Sequence, residues 1–176
     1  MHHYGGGYTD LKFISHSWEP AFKKIRDDSN IWFVGLGGEN KFNIAGDMDT
    51  KVLKDFEKNR LTSVGYFIVK PGTPFTTDWY NGMLRHMDTY LPTLRQHPAV
   101  YTREAHNRPP EKWCADETDP EIRKLDCPTE PTKYPIAWID LIKIVWTLQS
   151  RYLTHIAHGI PEPDTSKAYD DFIDPT

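Results

Sequence analysis

No apolar run in this chain approaches the roughly 20 residues that cross a bilayer, and the first residues are polar and glycine-rich rather than basic and then apolar. The sequence therefore shows neither a membrane span nor a signal peptide. It also has no basic stripe. Its 21 Lys and Arg are scattered among 25 Asp and Glu, and a net charge of −4 gives nucleic acid nothing to settle on. Cysteine is scarce. Cys114 and Cys127 share one irregular region, where they form a single short-loop disulfide or stay as thiols; two thiols at this spacing do not by themselves make a zinc site. Repeats, low-complexity tracts, a Gly-x-Ser-x-Gly elbow and a Walker loop are all missing, which removes solenoids, the commonest serine hydrolases and P-loop enzymes.

What is present is the make-up of an ordinary globular protein: 176 residues, 38% hydrophobic and 13% aromatic, long enough for a real core. Ser17-Trp18-Glu19-Pro20 opens a helix that should reach about Asp28, with a hydroxyl to cap it and proline where a missing N–H costs nothing. Ile31 to Gly35 is a short apolar run expected as a doubly buried strand, and 35–40 reads as a loop. Asp49 should cap a helix from Thr50 to Lys58 that buries Val52 and Phe56. Val64 to Val69 is the next buried strand, stopped by Pro71-Gly72.

A helix capped by Thr76 or Thr77 carries Trp79, Met83, Met87 and Leu91 as one apolar stripe, with Pro92 as a kink or turn. From His97 to Lys133 six prolines interrupt any period, so a long surface loop is expected there. Tyr134-Pro135 then opens a long helix with Ile139, Ile142, Trp146, Tyr152 and Ile156 on one face and Gly159 as its stop. An acidic tail follows, over 161–176. Helices interleaved with two or three doubly buried strands predict an α/β fold, and so few strands suggest that part of the sheet lies outside the chain.

Chemistry concentrates first in Tyr4-Gly5-Gly6-Gly7-Tyr8-Thr9-Asp10-Leu11-Lys12. Consecutive glycines let the backbone turn close to a bulky ligand, Tyr8 offers a ring, and the carboxylate of Asp10 suits a hard cation or sugar hydroxyls. The same residues also fit a glycine turn before a strand, with Asp10 as a turn residue.

This segment resembles the sugar-binding region of family 32 glycosyltransferases that contains the Asp-x-Asp motif. The resemblance continues through Thr73-Pro74-Phe75-Thr76 to Trp79-Tyr80, through Leu94-x-x-His97-Pro98-Ala99, and through Tyr134-Pro135-x-x-Trp138-x-Asp140. It implies a GT-A type, Rossmann-like fold and retaining transfer of a sugar from a nucleotide diphospho-sugar to a carbohydrate acceptor. It further implies that residues 1–160 form the catalytic domain without its first nucleotide-binding strands, interrupted by a loop at 98–133. Gly5, Gly6, Tyr8, Thr9 and Trp138 would bind the donor. Asp10 would hold a divalent cation, Mn2+ or Mg2+, or the donor sugar itself.

The chain departs from that pattern where the second aspartate is expected, because Lys12 stands there. A metal held by two carboxylates is then in doubt, and the lysine can itself neutralise the leaving diphosphate; an ordinary surface pair of Asp10 and Lys12 is the plain alternative. Glu39, in a glycine-rich loop after a strand, and Asp140, near a helix start, complete the candidate catalytic set, against the readings of a solvated loop and a helix pair with Lys143. The literal Asp47-Met48-Asp49 reads as a helix cap rather than a metal site. His155 and His158, three apart on the expected last helix, could bind zinc with His2, His3 or His16, but no partner carboxylate accompanies them. A carbohydrate-binding protein without catalytic activity is the other reading of the whole.

Overall fold

The computed structural model describes residues 1–10, 16–37, 49–98, 135–136 and 138–163, with side chains from residue 143 onward in the last stretch. The expected loop at 98–133 (but for Pro98) and the tail beyond residue 163, with Cys114 and Cys127, lie outside the described residues. The elements are β1 (Gly6–Thr9), α1 (Glu19–Asp27), β2 (Phe33–Leu36), α2 (Thr50–Glu57), β3 (Tyr66–Val69), α3 (Pro74–Gln96), α4 (Trp138–Arg151), a 3-10 turn (Leu153–His155) and β4 (Ile156–Ile160). No helix among the described residues is long and apolar enough to cross a membrane.

The chain divides into two compact units, one of residues 1–80 and 145–176, the other of residues 81–144. In the first, four strands form a mixed sheet in the order β1-β3-β2-β4. Strand β3 is antiparallel to both β1 and β2, whereas β2 and β4 run parallel. One face is covered by α1, whose Ala21 and Ile25 bury against Val34, Tyr66, Ile68 and Ile160. The opposite face is aromatic: Phe33 stacks on Phe67, and Phe75 and Trp79 from the start of α3 close over both rings. The protein is thus α/β, with a four-strand mixed sheet flanked by helices.

Local chemistry explains where the elements begin. Ser17 Oγ accepts from the Glu19 N–H at 3.1 Å, at the mouth of α1. Asp49 caps α2 by accepting from the Lys51 N–H at 2.7 Å, as its position before Thr50 predicts. Helix α3 starts at Pro74, earlier than expected, because the Thr73 hydroxyl accepts from the Thr76 N–H at 3.2 Å and proline is tolerated in a first turn. Pro92 lies inside the same helix rather than ending it.

Two expectations fail. The long helix predicted as far as Ile156 stops at Arg151, and Ile156–Ile160 is a strand. With β1 and β4 beside the expected buried strands β2 and β3, the sheet among the described residues has four strands, not two or three. Backbone pairing with β2 decides this segment, since Ala157 and Gly159 carry little strand preference of their own. Gly159 is no helix stop: a Cβ there would lie 2.9 Å from Val34 Cγ1, so the missing side chain lets β4 close on β2. The other failure is the stripe on α3, where Met87 and Leu91 are exposed.

Candidate functional site

The glycine-rich segment forms a turn and then β1. Gly5 takes φ +63° and Gly6 φ +105°, values that favour glycine. A Cβ on Gly5 would also meet Val69 O and Pro71 Cδ, each at 2.6 Å, so this turn is pressed against the end of β3. Hydrogen bonds hold it there: Gly5 N–H to Met1 O at 2.8 Å and Gly72 N–H to His2 O at 2.9 Å.

The turn delivers Tyr8, Thr9 and Asp10 to one corner of the sheet. Tyr8 pairs across the ladder with Phe67 and stacks on it, with ring centroids 5.4 Å apart. Its hydroxyl donates to Asp10 Oδ1 at 3.0 Å. That hydrogen bond, with some burial and the carboxylate's charge, pushes the Tyr8 phenol above its ordinary value. Backbone bonds fix Asp10: its N–H donates to Gly65 O at 2.9 Å, and the Thr9 hydroxyl donates to its carbonyl at 2.8 Å. A Cβ on Gly65 would stand 2.6 Å from Asp10 Oδ2, so the carboxylate rests on bare backbone.

Of the expected site residues, Tyr8, Thr9 and Asp10 share the corner beside Gly65, whereas Gly5 and Gly6 lie at the opposite end of β1, against Val69 and Pro71. Lys12 and Glu39 lie outside the described residues, and Trp138 and Asp140 are placed only by backbone, in the first turn of α4. Gly65 and Ser63, whose Oγ accepts from the Gly65 N–H at 3.1 Å, were missed by sequence reasoning. A glycine interrupting an apolar strand pattern marks a close backbone approach, and that signal pointed to Gly65.

The candidate zinc histidines do not share a helix face. His155 ends the 3-10 turn, stacks flat on Trp32 at 3.6 Å and has Nδ1 2.7 Å from Asn30 O. His158 belongs to β4, beside Gly37. Among the described residues no group of three or more His, Cys, Asp or Glu side chains is placed to hold a metal ion. Asp10 contributes one carboxylate, of which Oδ1 accepts from the Tyr8 hydroxyl, and Lys12 at the motif's second acidic position lies outside the described residues. Comparison with protein-family models, curated proteins and solved structures finds no match to the chain.

Proposed function

We propose that the chain belongs to a sugar-nucleotide-dependent glycosyltransferase of the GT-A type, transferring a sugar from a nucleotide diphospho-sugar to a carbohydrate acceptor with retention. The observation that carries this reading is the corner at the end of β1, where the exposed ring of Tyr8 and the carboxylate of Asp10 stand side by side at 3.0 Å over a glycine floor. An aromatic face suits the C–H surface of a sugar, and a carboxylate suits its hydroxyls. A four-strand mixed sheet between helices is compatible with a Rossmann-like domain of this kind.

In the reaction the bond from the anomeric carbon to the diphosphate breaks with its electron pair leaving on the diphosphate oxygen, and the acceptor oxygen bonds to that carbon while its hydroxyl proton passes to the departing diphosphate. Asp10 would orient the donor sugar. Lys12, two residues on, would set a positive charge toward the departing diphosphate. Glu39, Trp138 and Asp140 are the further candidates for the sugar sites.

The test is transfer from UDP-glucose, UDP-galactose and GDP-mannose to a set of oligosaccharides, read by mass spectrometry with and without Mn2+. Asp10→Asn should lower transfer on the order of 100-fold, as loss of other such electrostatic groups does. Full activity in Asp10→Asn would refute the assignment. Binding of sugars without any transfer would favour a non-catalytic carbohydrate-binding protein instead.

A further inference from the structure

Tyr8 is anchored from behind. Phe67, on which it stacks, is buried and is itself braced by Phe33 at 5.1 Å and Trp79 at 5.7 Å between ring centroids. The phenol is therefore set by the aromatic core, while its outer side stays open to solvent. From that fixed ring the hydroxyl reaches Asp10 Oδ1, and the other carboxylate oxygen lies over Gly65, where any side chain would collide with it.

We propose that Tyr8 is a positioning residue: its hydroxyl and the bare backbone of Gly65 together hold the Asp10 carboxylate in one orientation, ready to receive sugar hydroxyls. The sugar as ligand rests on the glycosyltransferase reading. The orientation is a property of the corner itself. A carboxylate at the end of a strand otherwise rotates freely, and each competing rotamer dilutes the one that binds. Two restraints remove that freedom, one a hydrogen bond to a ring that cannot move, the other a steric floor. Gly65→Ala would lift the carboxylate away, and Tyr8→Phe would keep the stacking while deleting the hydrogen bond.

The experiment has two arms on the full chain. The first measures the Hα–Hβ couplings of Asp10 by NMR, which report its side-chain rotamer without any ligand. One large and one small coupling are expected in the unchanged protein, with the two approaching each other in Tyr8→Phe and shifting in Gly65→Ala. Couplings unaltered in Tyr8→Phe would overturn the proposal.

The second arm titrates UDP-glucose, UDP-galactose and GDP-mannose by calorimetry. Whichever binds best should bind about tenfold more weakly to Tyr8→Phe, the scale of one hydrogen bond. The double variant Tyr8→Phe/Asp10→Asn should bind no worse than Asp10→Asn alone, because Tyr8 acts through Asp10. Additive losses would mean that the Tyr8 hydroxyl itself bonds the sugar, and would equally overturn the positioning role. If the couplings respond as expected but none of the three donors binds the unchanged chain, the donor-binding role of this corner fails and the orientation of Asp10 stands.

Discussion

Gly35 sits in β2 with no room for a side chain. A Cβ there would lie 2.3 Å from Thr62 Oγ1 and 2.5 Å from Thr62 Cβ. Thr62 cannot retreat: it is fully buried, its N–H donates to Gln149 Oε1 at 2.7 Å, and its carbonyl accepts from both Gln149 Nε2 and Trp146 Nε1 at 3.3 Å. Gly35→Ala should accordingly destabilise the fold by about 1–3 kcal/mol, the usual range for overpacking. Gly7→Ala is the contrast, since its Cβ would meet Trp18, Phe22 and Ile68 at 3.4–3.6 Å, ordinary contact distances. Urea unfolding of both variants checks the pair; a Gly35→Ala protein as stable as Gly7→Ala would mean that Thr62 moves aside easily. The two kinds of glycine differ in how far sequence reveals them. Gly5 and Gly6 stand in a run and announce a turn, whereas the need for Gly35 arises from a threonine that only the fold brings to it.

Helices α2 and α4 are tied together around one buried carboxylate. Asp55 accepts from Ser150 Oγ at 2.5 Å and pairs with Lys51 at 3.2 Å and Arg60 at 3.6 Å, while Lys51 also donates to the Ser150 carbonyl. Burial by itself pushes the Asp55 carboxyl up, but the hydrogen bonds from Ser150 and Lys51 and the charges of Lys51 and Arg60 outweigh it and hold the group below its ordinary 3.8. A depressed carboxyl adds stability that is fully present above the ordinary value and is lost as pH falls through the folded one. Asp55→Asn should therefore cost about 1–2 kcal/mol at neutral pH. The gap should narrow below about pH 4, where the unfolded chain also begins to take up its proton. Chemical denaturation of both proteins from pH 7 to pH 3 measures it, and a gap constant over that range would contradict the role given to Asp55.

At this scale α1, β2, α2 and β3 were legible within a residue or two, because each pairs a clear apolar period with a cap or a stop. The stretch after Arg151 was not. Tyr152 and Ile156 continue a helical spacing by coincidence, and what turns 156–160 into a strand is a vacant ladder on β2, which no local pattern records. Exposure of Met87 and Leu91 was hidden for a related reason, since a stripe in sequence does not say what covers it.

For the molecule as a whole, fold and site can be separated by one measurement. The sheet places Tyr8 and Asp10 through β1, which among the described residues is an outer strand paired with β3, whereas Gly35 and Thr62 lie in the packed interior. A donor that binds the folded chain must raise its thermal transition by mass action, by about 2.7 kcal/mol at a hundredfold excess over Kd, or about 5–10 °C for a protein of this size. Donor affinity is weak where the first nucleotide-binding strands are lacking, as the resemblance implies, so the donor is raised to that excess. There the unchanged chain should show such a shift with one of UDP-glucose, UDP-galactose or GDP-mannose. Gly35→Ala should start from a lower transition and keep the shift, because its damage is confined to the packing of Thr62. Asp10→Asn should start near the unchanged value, as its backbone bond to Gly65 survives, and lose most of the shift. Thermal scans of the three proteins, with and without donor, decide the matter. An Asp10→Asn protein that keeps the whole shift would move the ligand away from the end of β1, and with it the function proposed for that corner.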